Sequence, residues 1–176
     1  MEWQLLITDF FIRISQELER VLDGLTIDDL NQRPHPDCNS IGWLAWHLTR
    51  SHDRNLSELA GREQLWIKDN WHARFNRAPE PTETGYSHRS EDLTAFRSPD
   101  GKTILEYHHA VLELAKQYIT NSLSETNLKR KVKSPTLKNV ATVRERLLGI
   151  ISEGLQHVGQ TAYVRGLLKG KGWLGR

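Results

Sequence analysis

Four long stretches of the chain repeat apolar residues at intervals of three, four and seven, and none sustains the every-other-residue alternation of a strand. That period suits an amphipathic helix and not a sheet. The first stretch, Trp3 to Leu22, carries Leu5, Phe10, Phe11, Ile12, Ile14, Leu18, Val21 and Leu22; Asp23-Gly24 ends it, Gly24 supplying a left-handed cap. The second can be capped by Asn39 or Ser40 and runs to Ala60, with Ile41, Leu44, Leu48 and Leu59 on its stripe and Gly61 as its stop. The third covers roughly Thr103–Leu123 after Gly101 and holds Leu105, Val111, Leu112, Leu114, Ala115, Tyr118 and Ile119. The last, about Thr142–Lys169, has Leu147, Ile150, Ile151, Gly154, Val158, Thr161 and Leu168 on its inner face. Four such helices in one chain predict an all-α fold, an up-down four-helix bundle.

Residues 61–100 interrupt this regularity between the second and third helices. They carry Pro79, Pro81, Pro99 and Gly85, with one short helix expected around Ser90–Phe96. An irregular excursion of that length is commonly a lid or pocket wall. At 176 residues the whole chain, 1–176, is expected to form a single domain, and 38% hydrophobic residues suffice for its core. A mean hydropathy of −0.58 and apolar runs far shorter than the roughly 20 residues of a membrane span argue against a membrane protein.

The early charges Glu2, Asp9, Arg13, Glu17 and Glu19 are unlike a secretory signal, and the one cysteine, Cys38, cannot form an internal disulfide. A reducing, cytoplasmic location is the expectation. The net charge of +2 says little about partners. Basic residues gather in 129–138 (Lys129, Arg130, Lys131, Lys133, Lys138) and in the tail (Lys169, Lys171, Arg176). No aromatic residue interleaves the first group, so it reads as a solvated loop face and no nucleic-acid partner is expected.

Of the eight histidines, at 35, 47, 52, 72, 88, 108, 109 and 157, most lie in polar stretches where solvation is the default. Two stand apart. His157 follows Glu153 by four residues, which puts both side chains on one helix face about 5–6 Å apart at Cβ. His47 lies within Trp43-Leu44-Ala45-Trp46-His47-Leu48, among large apolar groups. Each has a commonplace explanation, a solvated pair and a satisfied core histidine. Together, two imidazoles and a carboxylate would make a three-ligand set for zinc, with nickel, iron and manganese also compatible. The fourth position would remain for water or substrate.

The run Asn39-Ser40-Ile41-Gly42-Trp43-Leu44-Ala45-Trp46-His47-Leu48 resembles the second helix of the DinB-like superfamily. Glu153-x-x-x-His157-Val158-Gly159-Gln160, followed by Arg165-Gly166, resembles its last helix. That superfamily contains metal-binding four-helix proteins, among them mycothiol-dependent maleylpyruvate isomerases and bacillithiol S-transferases. Its members take one metal-ligating histidine from helix two and two ligands one turn apart on the last helix, positions that fall here on His47, Glu153 and His157. Many members have a second histidine where this chain has Glu153, and the glutamate resembles the mycothiol isomerase branch. Residues 61–100, where a substrate would be selected, match no motif, so the resemblance leaves the substrate open. It implies no DNA-binding activity.

The resemblance implies a thiol transferase, in which a metal-bound low-molecular-weight thiol attacks a small electrophilic substrate. Metal-activated water, giving a hydrolase, is the alternative; a non-catalytic, metal-stabilised binding or sensor protein is the rival from another class. A homodimer through exposed apolar helix faces is compatible with such a bundle. Gln160 can orient a ligand or simply be a surface glutamine. Arg50 and Arg54 can attract an anionic substrate or be solvated. His52 and Asp53 are reserve ligands. Cys38 sits where a helix dipole lowers a thiol pKa, although a packed or inert thiol is the simpler reading. Trp66, Trp71 and Trp173 can line a pocket mouth or pack, packing being the reading for Trp173.

Overall fold

The computed structural model describes residues 2–170 and Gly172. Four long helices dominate: α1 (Glu2–Leu22), α3 (Ile41–Ala60), α7 (Gly101–Ser122) and α9 (Val143–Lys169). The short α2 (Ile27–Asn31) links the first two and packs on α3. Helix α3 packs against α7 and α9, and α1 packs against the same two, so the four share one core. Ile14 and Leu18, Leu44 and Leu48, Ile104 and Val111, and Leu147 and Ile150 meet there. Helix boundaries follow local chemistry. Ser40 accepts the Trp43 N–H and opens α3, while Gly61, at φ 64°, closes it in the left-handed region. Thr142 and Glu145 form a reciprocal capping box on α9. Asp100 accepts the Thr103 N–H, which starts the third long helix two residues ahead of the expected Thr103. Leu5, one of the apolar residues of that first stretch, is 66% exposed. No helix among the described residues is long and apolar enough to cross a membrane.

The excursion is more ordered than its composition suggests, holding α4 (Leu65–Lys68), α5 (Trp71–Arg74) and α6 (Ser90–Ala95). Its anchors are the charged residues Arg50 and Asp53 on α3, both fully buried. Asp53 accepts the backbone N–H groups of Leu65 and Trp66 at 2.9 and 2.8 Å, the Tyr107 hydroxyl at 2.7 Å and the Ser57 hydroxyl at 3.0 Å. Arg50 pairs with Asp53 at 3.5 Å and donates from Nε to the Glu83 carbonyl at 3.0 Å. Its guanidinium lies 4.5 Å from the Trp66 ring centroid. Arg50 is therefore neither solvated nor free for a substrate, Asp53 is not a reserve ligand, and Trp66 is core and lines no pocket mouth.

After α7 come α8 (Glu125–Leu128) and a hairpin absent from the sequence expectation, β1 (Lys131–Lys133) antiparallel to β2 (Val140–Thr142), with Val132 opposite Ala141. Glu58 of α3 ties the hairpin down. Its carboxylate accepts Ser134 Oγ at 2.6 Å, Thr136 Oγ1 at 2.5 Å and Arg146 Nη2 at 2.6 Å. Lys131 and Lys133 point outward and are exposed. Lys171, Trp173 and Arg176, named in the sequence expectations, lie outside the described residues.

Two histidines assumed to be solvated are in the core. His108 is 2% exposed and His52 is 2% exposed. The Thr49 hydroxyl donates to the Ala45 carbonyl, so at 3.0 Å from His108 Nδ1 it accepts the imidazole proton. Burial holds the His108 imidazole down to about 3. Between pH 6.5 and that value the unfolded chain binds a proton that the folded chain refuses, so stability falls as pH falls. At pH 4.5 this one group is expected to cost about 2–3 kcal/mol relative to pH 7. Urea denaturation at the two pH values checks it: His108→Gln should flatten the dependence, and an unchanged slope would exclude this source.

Candidate metal centre

His47 sits midway along α3, and Glu153 and His157 sit one turn apart on α9, the helix α3 packs against. Each offers one donor atom, and the three atoms lie within 4.8 Å of one another. His47 Nε2 is 3.3 Å from Glu153 Oε1, and His157 Nε2 is 3.8 Å from the same oxygen. The two imidazoles meet edge to face with centroids 4.6 Å apart.

The outer nitrogens decide what the inner ones can do. His47 Nδ1 bonds the Thr84 backbone carbonyl, a group that only accepts, so Nδ1 carries the proton. His157 Nδ1 lies 2.8 Å from Gln160 Oε1, and the same argument applies. When neutral, both rings then turn an Nε2 lone pair toward a carboxylate oxygen. Three acceptors cannot share that space without a cation between them, either a proton or a metal ion. Two imidazole nitrogens and one carboxylate oxygen are the donor set of an open zinc site, with Nδ1 hydrogen bonds fixing both tautomers, so the residues fit a divalent ion. Burial acts to raise the Glu153 carboxyl; with a proton as that cation, shared from His47 Nε2, the hydrogen bonds from His47 and Ser51 outweigh it and bring the carboxyl to about 2. Burial lowers His157, with Gln160 and Glu153 opposing.

Several supports were invisible in the sequence. Ser51 donates to Glu153 Oε2, which leaves Oε1 turned toward His47. Trp43 stacks on His47 with ring centroids 4.8 Å apart and an interplanar angle of 9°. Gly85 brings the excursion into place. It sits at φ 84°, and a Cβ there would lie 2.7 Å from Trp43 and 2.9 Å from Trp46. Gly154 lets α3 approach α9, since a Cβ would stand 2.7 Å from His52 Nε2. His52 points that nitrogen at the Ile150 carbonyl, 3.2 Å away, and does not join the centre. Burial holds its imidazole at about 4.

The centre is sheltered without being sealed: the side chains of His47, His157 and Glu153 are 8%, 18% and 32% exposed. A polar cleft of about 520 Å³ opens on the excursion side, lined by Arg54, Glu83, Thr84, Gly85 and His88 among others. A smaller apolar crevice of about 280 Å³ includes Gln160, Cys38 and Tyr163. Cys38 is exposed, not packed.

A protein from Enterococcus faecalis, described as a conserved protein of locus, has a crystal structure that superposes with a TM-score of 0.84. It is 27% identical over 95% of this chain and 97% of its own. No curated protein matches. The family model of the DinB superfamily matches residues 11–161, which include all three residues of the centre. By that match, the chain belongs to the DinB superfamily.

Proposed function

We propose that His47, Glu153 and His157 hold one divalent ion, zinc before nickel, iron or manganese, and that the chain is a thiol transferase acting on a low-molecular-weight thiol and a small electrophile. The observation that carries this reading is the pair of Nε2 atoms facing Glu153 Oε1, each ring fixed by an Nδ1 hydrogen bond on its far side. A divalent ion bound there supplies Lewis acidity, lowering the pKa of a coordinated thiol so that a thiolate exists at neutral pH. Thr84 and Gln160 hold the imidazoles in the ligating tautomer, and Ser51 holds the carboxylate in register. Trp43 limits water on the buried side of His47, leaving approach from the side of Glu153.

Three protein donors favour catalysis over a purely structural role. Closed structural zinc sites use four, and among the described residues no fourth His, Cys, Asp or Glu joins this group. The same reading takes the four long helices as an up-down bundle in one cytoplasmic domain, able to pair through Leu148, Leu155 and Tyr163, which α9 leaves exposed.

The test is a panel of low-molecular-weight thiols incubated with monobromobimane and metal-loaded protein. At least one thiol should be consumed faster than without protein, and Glu153→Gln should lower that rate at least about tenfold at limiting metal. Excess metal should restore it. Ester hydrolysis without any thiol effect would move the reading to metal-activated water.

A further inference from the structure

Among the described residues three arginines are buried, and two have carboxylate partners: Arg50 with Asp53, and Arg146 with Glu58. The third, Arg54, is 8% exposed and forms no ion pair among the described residues. Of its five N–H donors, only Nη1 is used, in a long bond of 3.4 Å to Thr84 Oγ1, while the buried Nε meets no acceptor. Burial pulls the guanidinium below its ordinary value, and the more distant charges of Glu153 and Glu58 offset this only in part. A buried cation without a counter-charge is costly, and this one lines the polar cleft beside the centre.

The cleft's own carboxylates have other partners than Arg54. Glu83 is held by Arg77 at 2.8 Å and His88 at 3.2 Å, Asp92 accepts the Arg89 N–H at 2.9 Å, and Glu80 accepts the Thr82 hydroxyl at 2.7 Å. Thr84 joins the two features, since its carbonyl bonds His47 and its hydroxyl bonds Arg54. We infer that Arg54 is the anion-recognition residue of this cleft, binding the carboxylate of a small-molecule substrate whose reacting atom lies at the neighbouring centre. Only the last clause rests on the proposed function. A single guanidinium without a counter-charge suits a singly charged carboxylate; a phosphate dianion calls for more positive partners.

The full-length protein, as purified and after chelation, is titrated with propionate, methyl propionate and inorganic phosphate while the arginine Nε–Hε resonances are followed by NMR. The Arg54 signal is identified by its loss in Arg54→Lys. It should shift saturably with propionate in both metal states and stay still with the ester. Propionate should bind Arg54→Met at least about tenfold more weakly, the scale of a lost hydrogen bond to a charged group. If Arg54→Met does not fold, the wild-type resonance and the affinity of Arg54→Lys decide the matter. No saturable shift, unchanged affinity in the variants, or tighter binding of phosphate would overturn the inference. The chelated sample separates the two readings. Propionate binding without metal uptake leaves Arg54 standing alone, whereas metal uptake without propionate binding removes Arg54 and spares the centre.

Discussion

Purified without chelators, the protein should carry about one divalent ion per chain, and alanine at His47 should strip most of it. Removing a hydrogen-bond partner of a ligand already costs 10–100-fold in affinity in metal sites, so removing the ligand should cost at least about 100-fold. Glu153→Gln keeps the side chain's size and loses its charge, and should also weaken binding. Elemental analysis after gel filtration gives the stoichiometry, and His47→Ala with wild-type metal content would take His47 out of the centre. An ion held by His47, Glu153 and His157 would join α3 to α9, so it should also stabilise the native state. At free metal 100 times above Kd the gain is about 2.7 kcal/mol, or roughly 5–10 °C in Tm for a chain of this size. The core formed by Ile14, Leu44, Ile104 and Ile150 does not depend on the ion. Helical content by circular dichroism should therefore survive chelation, unlike that of a zinc finger. Collapse of the helices on chelation would mark the ion as a structural staple and deprive the transferase reading of its main support.

The largest loss of stability from a single substitution is expected at Asp53. Asp53→Ala leaves Arg50 without a counter-charge in the interior and strips acceptors from the Leu65 and Trp66 N–H groups. Breaking a buried pair from one side typically costs about 3–5 kcal/mol, here a fall of roughly 6–20 °C in Tm. The Tyr107 hydroxyl loses its acceptor too, and burial followed by the Asp53 charge already pushes that phenol well above its ordinary value. Asp53→Asn should recover only part of the loss, because an amide NH₂ must face either Leu65 N or Trp66 N. Replacing both partners, Arg50→Met with Asp53→Leu, should cost less than Asp53→Ala alone, as removing a whole buried pair usually does. Urea unfolding of the four proteins tests this; a cost below about 1 kcal/mol for Asp53→Ala would show that the excursion is held by other contacts.

The long helices were legible because burial of a helix face leaves its mark every three to four residues, as Ile14, Leu18, Val111 and Ile150 do. Glu153 and His157 were legible as a pair for the same geometric reason, and His47 through the resemblance of its helix to a known one. Arg50 and Asp53 were misread because charge in a helix suggests solvent, and only the excursion folding back over α3 buries them. The hairpin at 131–142 has strands of three residues, too short to display alternation. Thr84 reaches His47 with its main chain, which no side-chain pattern can disclose.

That last contact has a consequence for how such a sequence can drift. A backbone carbonyl survives every substitution at position 84 that preserves the chain path, so the orientation of His47 is insulated from the identity of the residue supporting it. The hydroxyl of the same residue, which reaches Arg54, has no such protection. Change at 84 can therefore remodel the cleft while His47 keeps its partner, whereas at Gly85, wedged against Trp43 and Trp46, a single methyl group disturbs both at once. On the proposed reading, the support of the metal ligand and the support of the anion site rest on different atoms of one residue, so the second can be altered without disturbing the first.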